Sequence, residues 1–202
     1  MLDRLLGRLE AMSRYAVWAG GAMLIFAAGM VTVDVLTRKL LGWSMAGSDE
    51  ITGYLFAIST AWSYAFTLLG RANVRIDALY EHMPKPVRAV LDVVALLALT
   101  GFMGFVTYWA YRVFRGSLGA PFGETDVWSL SITPLSTPLA LPQGLWLLGL
   151  ALFMITAVVL LLRVLASLAH GDWGDIARRA GTRTYAEEVE DELAGHSIRD
   201  GD

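Results

Sequence analysis

The chain has 202 residues, 55% of them hydrophobic and 17% charged, with a formal net charge of -3 and no cysteine; its mean hydropathy is +0.52. Soluble chains carry about 25% charged residues, so this composition belongs in a membrane. The missing thiols exclude disulfides, thiolate metal sites and cysteine nucleophiles, and the small net charge argues against a nucleic-acid-binding surface.

Crossing roughly 30 Å of hydrocarbon takes about 20 helical residues, and four stretches qualify. The first runs from about Tyr15 to Leu36, after Arg4, Arg8 and Arg14. Its apolar core exceeds the roughly 7–15 residues of a signal-peptide h-region, so it reads as a retained span. Near its outer end Asp34 stands four residues before Arg38, the spacing of an interfacial i,i+4 pair. The segment GSDEIT at 47–52 then opens the second span, Ile51 to Leu69. Ser48 is a candidate N-cap, and Asp49 and Glu50 fall in the first turn, where carboxylates complement the helix dipole by about 0.3–1 kcal/mol. A sharper alternative pairs Glu50 with Arg38 across the boundary between the first two helices.

Within the second span Gly53, Ala57, Ala61 and Ala65 recur every four residues. Small side chains so spaced let helix backbones approach closely in lipid, either within this chain or against a second protein. Trp62 lies near mid-span, whereas Trp18, Trp43, Trp109, Trp128 and Trp146 fall mostly near span ends as interfacial anchors. Next, Ile76, Leu79, Tyr80 and Met83 share one face of a short amphipathic helix, which suits the membrane interface and stops at Pro84 and Pro86. The third span covers about Val87 to Tyr111, with Asp92 four residues after Arg88. The segment from about 112 to 142 is rich in Gly and Pro and mostly irregular. The fourth span, Leu145 to Leu165, is interrupted only by Gly149 and Thr156 in its apolar stretch. Beyond about residue 170 a polar tail carries Glu187, Glu188, Glu190, Asp191 and Glu192.

Twelve of the sixteen Lys and Arg residues lie at the N-terminus, in or beside the connection between spans two and three, or from the last turn of span four onward. Positive flanks stay in the cytoplasm, so both termini are expected there. The expected fold is all-α: a four-span membrane domain over residues 1–170, with an interfacial helix between spans two and three, followed by a tail over 171–202. His82, His170 and His196 all fall outside the spans, so axial haem ligation is not expected. No HExxH pair or buried nucleophile–base set can be assembled. A non-enzymatic protein without cofactor or metal is expected. An autonomous ion-coupled carrier usually needs an ionisable group or broken helix near the midplane, and the midplane here is bare.

From VTVDVLTRKLLGW through SDEITGYLFAISTAWSYAFTLLGRANVRIDALYEHMP, the chain resembles the small membrane subunit of tripartite ATP-independent periplasmic (TRAP) transporters, the DctQ family. Members show an Arg late in the first span, a carboxylate opening the second, and His-Ile-x-Val-Asp followed by an amphipathic stretch and Leu-Pro. Arg38, Glu50 and the segment Asn73, Val74, Arg75, Ile76 and Asp77 stand at those places, with Met83-Pro84 closing the stretch and Asn73 replacing the usual His. STPLALPQGLW before span four is also family-like, while the acidic tail is not covered. The resemblance implies a multi-pass protein of the bacterial inner membrane. It would scaffold a large permease that takes up a carboxylate-type solute with sodium coupling, the solute being delivered by a periplasmic binding protein. Membrane lipid is a further partner, and nucleic acid is not. The alternatives from the residues alone are a stand-alone scaffold or assembly protein and a small autonomous carrier.

Overall fold

The computed structural model describes residues 2–71, 83–119, 129–133 and 135–181. These form five helices and no strand: α1 Leu2–Leu41, α2 Ser48–Leu69, α3 Lys85–Ser117, α4 Ala140–Ala169 and α5 Trp173–Ala180. Three of them, α1, α3 and α4, are long and apolar enough to cross a membrane. The fourth expected span, α2, has 22 residues, about 33 Å at 1.5 Å per residue. It is long enough, and it carries two acids in its first turn and six Ser or Thr side chains along its length. The amphipathic stretch expected at 76–83 lies outside the described residues except for Met83.

Local chemistry explains the helix ends. Gly47, at φ 88, precedes α2 in a left-handed conformation that glycine adopts without steric cost. At the other end of α2, the Gly70 N–H donates to the Phe66 carbonyl at 2.8 Å. Pro84 caps α3, and Pro86 occupies its first turn, where a missing N–H leaves no intrahelical bond unmade. Past α4, Gly171 turns the chain at φ 69. Asp172 then caps α5 by accepting from the Asp175 N–H at 3.0 Å.

The long helices pack as a row, α1–α2–α4–α3. α1 lies mainly on α2 and more lightly on α4, α3 lies on α4, and α5 sits against α3 and α4. Two close approaches fix the row. A Cβ on Gly20 of α1 would stand 3.2 Å from the Ser59 carbonyl oxygen of α2. On Gly149 of α4 it would come within 2.9 Å of the backbone of Ala61 and Trp62, and closer still to the Trp62 ring. The missing Gly149 side chain makes room for that indole, whose N–H donates to the Leu145 carbonyl at 2.8 Å. This contact explains why a tryptophan stands at mid-span rather than at an interface.

The main core gathers at the end of the bundle where α1 begins and α2 and α4 finish, called here the termini end. Leu6, Leu68, Val93, Phe153, Val164 and Ile176 are among its buried members. Ile176 belongs to α5, so the polar segment expected from residue 171 starts with a helix docked into the core. An ionic clasp closes over it. Asp175 accepts from Ser167 Oγ at 2.6 Å and Arg179 Nε at 3.0 Å, and Arg163 approaches it to 3.2 Å. Asp3, at the start of α1, accepts from Arg163 at 3.2 Å and Arg179 at 2.9 Å. Burial pushes the Asp175 carboxyl up, but the hydrogen bonds from Ser167 and Arg179 and the charges of Arg179 and Arg163 outweigh it and hold the group below its ordinary value of 3.8.

Two outcomes are expected. Gly149→Ala forces α2 and α4 apart and should lower stability by about 1–3 kcal/mol, read as melting temperature in detergent. Gly101→Ala, where a Cβ meets nothing within 4 Å, should cause no loss. The folded-state pKa of Asp175 is depressed, so its contribution is complete above the ordinary carboxylate range and lost as pH falls through the folded value. Asp175→Asn should therefore melt below the parent at pH 7, and the gap should narrow as pH drops below about 4.

Candidate functional site

The opposite end of the bundle, where α1 passes to α2 and α3 to α4, is organised by two carboxylates. Asp34 on α1 is only 3% exposed. Its Oδ1 accepts from the Met45 N–H at 2.6 Å and from Ser44 Oγ at 3.2 Å, and its Oδ2 accepts from Arg38 at 2.6 Å. Arg38 also donates to Ser44 Oγ at 3.1 Å. Asp34 thus ties the connection between α1 and α2 back onto the helix that precedes it. The i,i+4 spacing had already indicated its pairing with Arg38.

Glu50 serves the second connection. Its carboxylate accepts from the Tyr54 hydroxyl at 2.7 Å and from the hydroxyl of Thr133. Thr133 in turn shares a 2.8 Å hydrogen bond with Ser131. This segment closes on itself through Ser131 N–H to the Thr137 carbonyl at 2.9 Å and Leu139 N–H to the Ser129 carbonyl at 3.0 Å. Its Leu135 rests over Gly47, where a Cβ would lie 3.2 Å away. Glu50 therefore fastens the segment before α4 to the start of α2.

The expected pair between Arg38 and Glu50 is replaced by these two separate arrangements. The physical reason is local. Asp34 sits one turn from Arg38 on the same helix, and turning Arg38 toward Glu50 would leave a buried carboxylate without its cation. Glu50 is satisfied instead by neutral hydroxyl donors, and it also remains one of the two acids in the first turn of α2.

The small-residue stripe of α2 divides in two. Ala61 and Ala65 are buried at 1% and 0% exposure, with Ala61 against Gly149, while Gly53 and Ala57 are exposed. Phe56, 62% exposed, flanks the open half. The family-like residues Asn73, Val74, Arg75, Ile76 and Asp77 lie outside the described residues. Sequence reasoning missed Tyr54 and Thr133 as the partners of Glu50, the backbone grip of Asp34, and the joining of Asp3 to Arg163 and Arg179. The four-residue spacing of Glu50 and Tyr54 was a usable signal, whereas nothing local points to Thr133. Among the described residues no group of three or more His, Asp or Glu gathers to hold a metal. What the geometry does is mechanical: two carboxylates hold two connections in place.

Because Arg38 and Glu50 act through separate partners, the stability losses of Arg38→Glu and Glu50→Arg should add in the double variant to within about 0.5 kcal/mol. A double-mutant cycle on melting in detergent checks this, and recovery in the charge-swapped double variant would contradict the separation.

Residues 27–167 match the family described as tripartite ATP-independent periplasmic transporters, DctQ component. No curated protein and no solved structure matches the chain. The family match runs from the middle of α1 to the last turn of α4, so it includes both carboxylate grips, the α2 stripe and the crossing at Gly149, and it covers more than half of the sequence. The chain belongs to the DctQ component family of tripartite ATP-independent periplasmic transporters.

Proposed function

We propose that this subunit is the membrane scaffold for a large permease that takes up a carboxylate-type solute with sodium coupling, the solute being delivered by a periplasmic binding protein. In this proposal all four long helices cross the bacterial inner membrane, both termini face the cytoplasm, and the end where α1 passes to α2 and α3 to α4, the loop end, faces the periplasm. The family match over residues 27–167 carries the reading. The distribution of Lys and Arg supports the orientation.

The polarity of α2 is compatible with a place in the bilayer. Ser59, Thr60 and Thr67 donate to the carbonyls of Leu55, Phe56 and Ser63, each four residues back, at 2.6, 2.8 and 3.0 Å. Hydroxyls satisfied within their own helix do not require water. The row of helices leaves broad apolar faces, with Ile25 76% and Phe26 63% exposed on α1 and Phe102 65% and Phe105 63% exposed on α3. Such faces suit lipid and a membrane partner.

The docking face in this proposal includes the open half of the α2 stripe, Gly53 and Ala57 beside Phe56. Close backbone approach between helices needs small side chains at such positions. A Cβ added at Gly53 meets nothing within 4 Å, so enlarging this face leaves the subunit's own packing intact.

Gly53→Leu combined with Ala57→Leu should reduce co-purification with the co-expressed large permease at least tenfold and abolish binding-protein-dependent uptake, while the isolated subunit keeps its melting temperature. Wild-type recovery of the complex would assign this face to lipid. A wild-type subunit that never co-purifies with a large permease would overturn the scaffold reading itself.

A further inference from the structure

At the termini end, α1, α2, α4 and α5 enclose a half-open cavity of about 540 Å³, within the range of roughly 300–1,000 Å³ usual for small-molecule sites. Part of its lining is apolar, with Leu6, Phe66, Leu69 and Leu160. The lining also carries Asp3, Glu10, Arg178 and Arg179. Leu160 lies three residues before Arg163, about 4.5 Å along α4. In the orientation proposed above, on which this reading rests, the apolar residues meet the last of the hydrocarbon and the charged ones the headgroup layer.

The charged part of the lining has two carboxylates and two guanidinium groups, so its charge is balanced but separated. Asp3 and Arg179 are already paired at 2.9 Å. The remaining two are less engaged. Arg178, with its side chain 70% exposed, only approaches Asp175 at 3.9 Å, and Glu10 forms no side-chain ion pair with any described residue. An occupant carrying one phosphate and one ammonium matches this pair. A purely anionic group would meet Glu10 and Asp3 unfavourably.

Gly7 supplies an independent observation. It lines the same cavity, and a Cβ built on it meets nothing within 4 Å. Glycine inside a helix weakens the helix, yet no neighbouring group requires its small size. A longer side chain at this position would extend into the cavity.

We propose that this cavity binds a phospholipid of the phosphatidylethanolamine class from the leaflet at the termini end. The phosphate lies against Arg178, the ammonium donates to Glu10, and the first acyl methylenes lie along Phe66, Leu69 and Leu160. The site concerns the small subunit alone and stands whether or not the docking face on α2 is assigned correctly. Choline headgroups lack the N–H donors that Glu10 accepts, and glycerol headgroups lack the cation.

The test uses the full-length chain purified in detergent and native mass spectrometry with dioleoyl phosphatidylethanolamine, phosphatidylcholine or phosphatidylglycerol added singly at equal concentration. The ethanolamine lipid should show at least fivefold higher occupancy than either of the others. Glycerophosphoethanolamine, which lacks acyl chains, should not displace it. Gly7→Leu fills the open space with a good helix former and should lower ethanolamine-lipid occupancy at least fivefold without lowering the melting temperature. Glu10→Gln should remove the preference over phosphatidylcholine. Equal occupancy by the three lipids, preference for the glycerol lipid, or displacement by the soluble headgroup would each overturn the proposal. Unchanged occupancy in a folded Gly7→Leu variant would do the same. If Gly7→Leu does not fold, Glu10→Gln decides alone, and a retained preference for ethanolamine over choline refutes the site.

Discussion

The α2–α4 crossing at Gly149 is the contact on which the arrangement of the long helices depends. α1 rests chiefly on α2, and α3 rests on α4, so the two outer helices are joined mainly through the inner pair. Where α2 and α4 meet, the absence of one side chain admits the backbone of Ala61 and the Trp62 indole. Packing rather than water exclusion holds helices together in lipid, and a gap at this crossing would separate the two halves of the row. The Trp62 hydrogen bond to Leu145 adds direction to a contact that shape alone leaves free to slide.

The two ends of the row are finished by different chemistry. At the loop end, carboxylates accept from backbone and hydroxyl donors, and the single cation involved, Arg38, comes from the same helix as its partner Asp34. At the termini end, acids and arginines from three helices interlock around Asp3 and Asp175. The first arrangement holds the α1–α2 connection through partners within eleven residues and reaches once across 83 residues, from Glu50 to Thr133. The second joins parts of the chain more than 150 residues apart, drawing the start of α1 onto α4 and α5. Between the two ends the hydroxyls of Thr100, Thr107 and Thr156 donate to carbonyls of their own helices, so these groups need no partner on a neighbouring helix.

The long helices were legible because apolar stretches of bilayer length leave few alternatives. Their approximate limits and the i,i+4 pairing of Asp34 with Arg38 followed from spacing alone. Helices nevertheless run well past the apolar stretches: α1 begins at Leu2 and α3 continues to Ser117, because nothing in the flanking sequence breaks them. The docking of α5 was not legible. Its residues WGDIARRA look like a polar tail, and its burial rests on Ile176 and Ala180 finding the core and on Asp175 finding arginines supplied by α4 and by α5 itself. Partners chosen by tertiary position, such as Thr133 for Glu50, leave no periodic trace. The stripe on α2 had the right period but an uneven fate, since regular spacing marks a helix face and a row of unequal neighbours covers only part of it.

The length of α1 has a mechanical consequence. Forty residues in one uninterrupted helix make a rod of about 60 Å, roughly twice the hydrocarbon thickness. The rod is fastened near both tips, by Asp3 to arginines of α4 and α5 and by Asp34 to the backbone at Met45. Between them, Gly20 lies against Ser59 of α2, the close contact about which a rigid rod would pivot. A tilt of about 10° about that contact would carry the two tips roughly 5 Å in opposite directions. The two ends of the bundle are thus linked by a single rod, and a force that tilts it at the termini end is delivered to the connection between α1 and α2 at the other.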